Sequence, residues 1–126
     1  MVKTKKHKIL IVEDDQFSLK LYSHLLEEKG YEVIATPTAK DVLRLAKENK
    51  PCCFVIDIML QDGDGFSLIK DLRATPGFKK TPILVLSNLG QEADINEAIK
   101  RGADKYYIKS NTRFQELVDT IKEMVK

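Results

Sequence analysis

Five short β-type runs, 8–12, 32–35, 53–56, 83–86 and 106–108, alternate along this chain with segments of helical periodicity. The central runs are apolar at consecutive positions rather than at every second one, as in strands covered on both faces. Strands separated by helices need crossover connections, so the chain is confined to an α/β fold on a parallel sheet. Right-handed crossovers make the expected fold a doubly wound, five-stranded (βα)5 sheet. In such sheets ligands sit beyond the carboxyl ends of the strands, near a point where strand order reverses.

The helical segments carry their own punctuation. Phe17, Leu21 and Leu25 recur at a spacing of four, with Tyr22 and Leu26 widening the stripe, which predicts a first helix that buries this face and ends at Gly30. Val42, Leu45 and Ala46 mark a second, stopped by Asn49 and Pro51. Phe66, Ile69 and Leu72 mark a third, and Ile95, Ala98 and Ile99 a fourth that stops at Gly102. Phe114, Leu117, Val118, Ile121, Met124 and Val125 form the last.

With 126 residues, 43% of them hydrophobic, a single domain buries a sizeable core without disulfides or a metal staple. The expected organisation is a flexible basic tail over 1–7, where Lys3, Lys5 and Lys6 precede Lys8, and one domain over 8–126. Lys and Arg (21) nearly balance Asp and Glu (19), so the net charge of +2 makes no electrostatic case for nucleic acid as a direct partner. No apolar stretch approaches the roughly 20 residues that span a bilayer, and no signal-peptide core follows Met1. A cytoplasmic protein without membrane contact is expected. Cys52 and Cys53 are adjacent at the start of a strand, where neighbours point to opposite faces, so they read as reduced thiols at or near the core.

Two of the apolar runs end in acid. Asp57 closes Cys53-Phe54-Val55-Ile56, and Glu13-Asp14-Asp15 follow Ile9-Leu10-Ile11-Val12. If these strands are parallel neighbours their ends lie about 5 Å apart, and like charges at that distance do not all stay ionised without a cation. A hard divalent ion, Mg²⁺, is expected. Ser87 and Lys109 follow two other strands and reach the same rim. A carboxylate nucleophile, a divalent ion, a hydroxyl and an ammonium suit phosphoryl transfer, in which the oxygen charge must be neutralised. In this reading Asp57 attacks phosphorus and becomes an acyl phosphate. Asp14 and Asp57 ligate Mg²⁺, Glu13 does so through water, and the carbonyl of Met59 completes the protein's share. Lys109 and Ser87 meet the phosphoryl oxygens. Taken alone, Glu13-Asp14-Asp15 is a solvated loop start with Asp15 as a helix N-cap, and Asp15 keeps that role here. Asp62-Gly63-Asp64-Gly65 is a turn into a helix capped by Asp64, because an EF-hand frame would put Leu60 and Asp71 at its essential ligand positions. His7 and His24 have no third ligand in view.

The segments Ile9 through Asp15, Val55 through Leu60, Asp64-Gly65-Phe66, Leu86-Ser87 and Gly102-Ala103-Asp104 through Lys109 resemble the receiver domains of two-component response regulators. The resemblance covers 8–125 and implies a CheY-like, flavodoxin-like fold. It implies a switch phosphorylated on Asp57 by a sensor histidine kinase or phosphotransfer protein, with Tyr106 reporting the phosphoryl group through Ser87. It further implies a downstream protein target on the face of the fourth helix, fifth strand and fifth helix, and a domain that is no enzyme beyond its own phosphotransfer and dephosphorylation. Three positions depart from the family pattern. Ser110 replaces the usual proline after Lys109, and a cis bond there costs about 3 kcal/mol more than trans, so a different loop geometry is expected. Gln61 replaces another proline, so a less rigid loop is expected. Asn88 replaces a small residue and either narrows the phosphate entrance or hydrogen-bonds the ligand.

These departures keep open a degenerate receiver that works as a phosphorylation-independent interaction module. A phosphatase with an aspartyl intermediate is a third reading, but Met59 stands where such enzymes want a second Asp. Lys105 and Thr120 replace charges that pair in dimeric relatives, so a monomer is expected before phosphorylation. The family tunes phosphate lifetime two residues beyond Asp57 and beyond Ser87, at Met59 and Leu89 here. Neither side chain orients water by a strong hydrogen bond, so self-dephosphorylation should be slow. Following the decay of the aspartyl phosphate by mass tests this, and a half-life of seconds would refute it.

Overall fold

The computed structural model describes residues 6–125. Its sheet contains β1 (Lys8–Val12), β2 (Glu32–Thr36), β3 (Cys53–Ile56), β4 (Ile83–Ser87) and β5 (Lys105–Ile108), all parallel, in the order β2-β1-β3-β4-β5. This is the flavodoxin-like order, which reverses direction between β1 and β3. Lys3 and Lys5 of the expected basic tail lie outside the described residues, whereas Lys8 already belongs to β1.

Helices α1 (Gln16–Glu28), α2 (Val42–Asn49), α3 (Gly65–Ala74), α4 (Glu92–Arg101) and α5 (Phe114–Met124) cover both faces. Alternation along the strands divides the core in two. Leu10, Val12, Phe54, Ile56, Ile83 and Val85 pack with α2, α3 and α4. Ile9, Ile11, Cys53, Val55, Leu84 and Leu86 pack with α1 and α5. Because both faces are covered, the three central strands are buried throughout their apolar runs, as their composition predicted. Among the described residues no helix is long and apolar enough to cross a membrane.

Local signals set most boundaries. Asp15 caps α1 by accepting from the Ser18 amide at 3.2 Å and hydroxyl at 2.6 Å, and Asp64 caps α3 through the Ser67 amide at 2.8 Å. The phase of α1 differs from the sequence reading. Leu26 is buried and Leu19 and Tyr22 pack beside it, while Phe17 is 75% and Leu21 42% exposed. Two apolar stripes lie on this helix, and contact with the sheet selects the one running through Leu19, Tyr22 and Leu26. Cys52 and Cys53 are free thiols, the second fully buried, where loss of hydration raises its pKa to about 12.

The edge opposite the acidic strand ends is tied by one side chain. Arg73 at the end of α3 donates to the carbonyls of Phe78 (2.8 Å), Thr81 (2.7 Å) and Gly102 (3.0 and 2.8 Å) and to Asp104 Oδ2 (3.0 Å). Asp104 also accepts from the Ile83 amide at 2.8 Å, which joins this cluster to the start of β4. Gly102 is required here, because its φ is +127° and an added Cβ would stand 2.6 Å from Arg73 Cγ. Arg73→Ala removes the guanidinium from three carbonyls and leaves Asp104 with the Ile83 amide. Equilibrium denaturant unfolding should show a loss of about 3 kcal/mol with an unchanged slope.

Candidate functional site

Register places the acids. Val12 pairs with Ile56, and the Asp57 amide donates to the Val12 carbonyl at 3.1 Å, so Glu13, Asp14 and Asp57 emerge together where strand order reverses. Gly65 fits against the main chain at this point: a Cβ there would stand 2.6 Å from the Asp57 carbonyl oxygen. One carboxylate oxygen from each of Glu13, Asp14 and Asp57 lies within 4.8 Å of the others. Glu13 and Asp57 are buried, at 4% and 7% exposure.

Lys109 enters from the end of β5, in a short 3-10 turn over Lys109–Asn111. Its Nζ donates to Glu13 Oε1 and, at 3.3 Å, to Asp57 Oδ2. Asp57 Oδ1 accepts from the Met59 amide at 3.2 Å. Ser87 is fully buried at the end of β4, with Oγ accepting from the Leu89 amide at 3.3 Å. Tyr106 on β5 donates its hydroxyl to the Leu89 carbonyl, so this half-buried ring is tied to the loop that follows Ser87. Glu13, Asp14, Asp57, Ser87, Asn88 and Lys109 line one open cleft of about 500 Å³. Of the sequence-selected residues, Glu13, Asp14, Asp57, Met59, Ser87 and Lys109 therefore converge on one rim, and Tyr106 stands outside it. Met59 meets the site through its amide, and its side chain is 61% exposed.

Electrostatics follow from burial and crowding. Loss of hydration raises the Asp57 pKa above the ordinary aspartate value, and repulsion from Asp14 adds to it. Ser87 and the amides of Met59 and Ile58 pull the other way. Burial lowers the Lys109 pKa. Three carboxylates with hard oxygen donors, two of them buried, fit a divalent cation such as Mg²⁺ better than any softer metal.

The departures from the family pattern resolve into hydrogen bonds. The loop expected to be less rigid because of Gln61 is a hairpin, Met59–Leu60 against Gly63–Asp64, and the Gln61 amide donates to Asp14 Oδ2 at 2.9 Å. A proline has no such N–H, so Gln61 gains a main-chain tie where rigidity was expected to be lost. Asn88 Oδ1 accepts from the Ser110 amide at 3.2 Å, joining the loop after β4 to the loop that carries Lys109. Cis peptide bonds are absent among the described residues.

The model of the response regulator receiver domain family matches residues 9–122. The polar-differentiation response regulator DivK of Brucella anthropi is 30% identical over 114 residues, which cover 90% of this chain and 92% of that protein. Among solved structures, the BeF3-activated N-terminal receiver domain of Klebsiella pneumoniae RstA superimposes with a TM-score of 0.89 at 27% identity, covering 95% of this chain and 99% of that one. The chemotaxis response regulator CheY4 of Vibrio cholerae gives 0.87 at 25% identity, with 95% and 99% covered.

The raised pKa of Asp57 has a sign for stability. The folded state holds this proton more tightly than the unfolded chain, so ionisation costs stability above the unfolded value and costs nothing well below it. Asp57→Asn should therefore melt at a higher temperature than the native protein at pH 7. The difference should close as the pH falls below 3.8, the ordinary aspartate value. Thermal melts in metal-free buffer across pH 3 to 7 check this, and an equal or lower melting temperature at pH 7 would contradict it.

Proposed function

This chain belongs to the response regulator receiver domain family, and on that premise we propose that it is a phosphorylation-controlled switch whose acceptor is Asp57. One observation carries the reading: Asp57, at the end of β3, shares a cleft with two further carboxylates, an ammonium and a hydroxyl delivered by three other strands. No single pair in that set needs phosphoryl chemistry, but the whole set matches what transfer to a carboxylate requires.

In this reading an oxygen of Asp57 attacks the phosphorus of a phosphohistidine on a sensor kinase or phosphotransfer protein. The new O–P bond forms as the P–N bond breaks, and the imidazole leaves. Glu13, Asp14 and Asp57 would hold Mg²⁺, with the Met59 carbonyl as a further ligand. The ion, when bound, supplies neutralisation of charge on the transferred oxygens. Lys109 exchanges its carboxylate partners for a phosphoryl oxygen, and the Ser87 hydroxyl donates to another. Movement of Ser87 reaches the Leu89 segment, to which the Tyr106 hydroxyl is bound, and so reaches the face of α4, β5 and α5.

The same face presents Ile99, 45% exposed, to a downstream protein. Exposed Phe17 and Leu21 stand on α1 just past Asp15 and offer the phosphodonor an apolar footing beside the acids. The domain catalyses only its own phosphotransfer and dephosphorylation, and works in the cytoplasm. Thr120 is bound to the Tyr107 hydroxyl and Lys105 is exposed, which supports a monomer before phosphorylation.

Intact mass after incubation with acetyl phosphate and Mg²⁺ tests the reading. The native protein should gain about 80 Da, and neither Asp57→Asn nor metal-free samples should. A folded protein that gains no mass and binds no beryllofluoride would instead favour a phosphorylation-independent scaffold.

A further inference from the structure

Asp14 lies at the open side of the cleft, half-buried, where a carboxylate is free to turn toward solvent unless something holds it. The Gln61 amide, 47 positions away in sequence, donates to its Oδ2 at 2.9 Å. Gln61 sits at the tip of the hairpin, and the next residue anchors that tip. Asp62 accepts from the Ala39 amide through Oδ1 at 2.9 Å and from the Lys40 amide through Oδ2 at 3.1 Å, at the 3-10 turn Ala39–Asp41 that leads into α2. A continuous strap thus runs from the first turn before α2, through the Asp62 carboxylate and the Gln61 amide, to Asp14.

We propose that Gln61 and Asp62 are positioning residues for the cation site, with the Gln61 amide fixing the orientation of Asp14 and Asp62 holding that amide in place. The proposal rests on the reading of Asp14 as a cation ligand. The physical basis is preorganisation. A carboxylate with one oxygen already engaged loses less rotational freedom when its other oxygen meets a metal, and removing such outer partners elsewhere weakens metal binding tenfold or more. Neither residue is among the three carboxylates that converge on the cation site, and the direct bond from this hairpin tip to one of them is the Gln61 amide to Asp14.

Titration calorimetry with Mg²⁺ on the native protein, Asp62→Ala and Asp62→Asn provides the test. Asp62→Ala should bind Mg²⁺ about tenfold more weakly, and Asp62→Asn, which keeps one acceptor oxygen, should fall between. The Mg²⁺ concentration for half-maximal phosphorylation by acetyl phosphate should rise by the same factor, while the rate at saturating Mg²⁺ stays within about twofold. Amide exchange at Gln61 should quicken in Asp62→Ala, which a role confined to capping the turn before α2 would not produce. Gln61→Pro deletes the donor itself and should match Asp62→Ala in affinity; if that variant fails to fold, Asp62→Ala decides alone. Native protein that binds Mg²⁺ with folded Asp62 variants of equal affinity would overturn the positioning role and leave the proposed function standing. Native protein that binds no Mg²⁺ would overturn both.

Discussion

Carboxylates at the ends of two adjacent parallel strands repel one another, and this molecule is arranged around that repulsion. Glu13, Asp14 and Asp57 each bring an oxygen within 4.8 Å of the others, and two of the three are buried. Such a cluster needs positive charge beside it. Lys109 supplies it within the chain by bonding to Glu13 and Asp57 at once. A divalent ion would supply more charge and release the ammonium for an incoming anion. Burial, with repulsion from Asp14 adding to it, raises the pKa of Asp57, so the ionised cluster fits a bound cation.

The sheet meets this demand by its strand order. Because direction reverses between β1 and β3, the helices after those strands leave on opposite faces, and the strand ends between them are not covered. Ser87 and Lys109 join from β4 and β5, so four loops must be held in register. The bonds that do so have main-chain amides as donors: the Asp57 amide to the Val12 carbonyl, and the Met59, Gln61 and Ser110 amides to the side chains of Asp57, Asp14 and Asn88. At the far edge Arg73 ties α3 to the turns that open β4 and β5.

Much of this was legible from residue order. Strand positions followed from apolar runs, helix starts from Asp15 and Asp64, and the site from acids, Ser87 and Lys109 at successive strand ends. The phase of α1 was not legible, because Phe17-Leu21-Leu25 and Leu19-Tyr22-Leu26 are both apolar stripes with helical spacing. Only the sheet beneath decides between them. The consequences of Gln61 and Ser110 were not legible either. Loss of proline reads as lost stiffness, yet each position regains an N–H, and the acceptors, Asp14 and Asn88, are distant in sequence. Asp62 read only as part of a turn, and its anchoring role was not legible, since its partners Ala39 and Lys40 lie in another loop.

Sequence alone determined the fold class, the four rim-forming strands and the chemical types they deliver, because apolar periodicity and strand-end residues are local properties that each segment carries by itself. Tertiary structure decided which face of α1 is hidden, how Lys109 divides itself between two carboxylates, and which amides hold Asp14 and the Lys109 loop. These depend on groups far apart in the chain meeting at hydrogen-bonding distance, and no local pattern encodes that meeting.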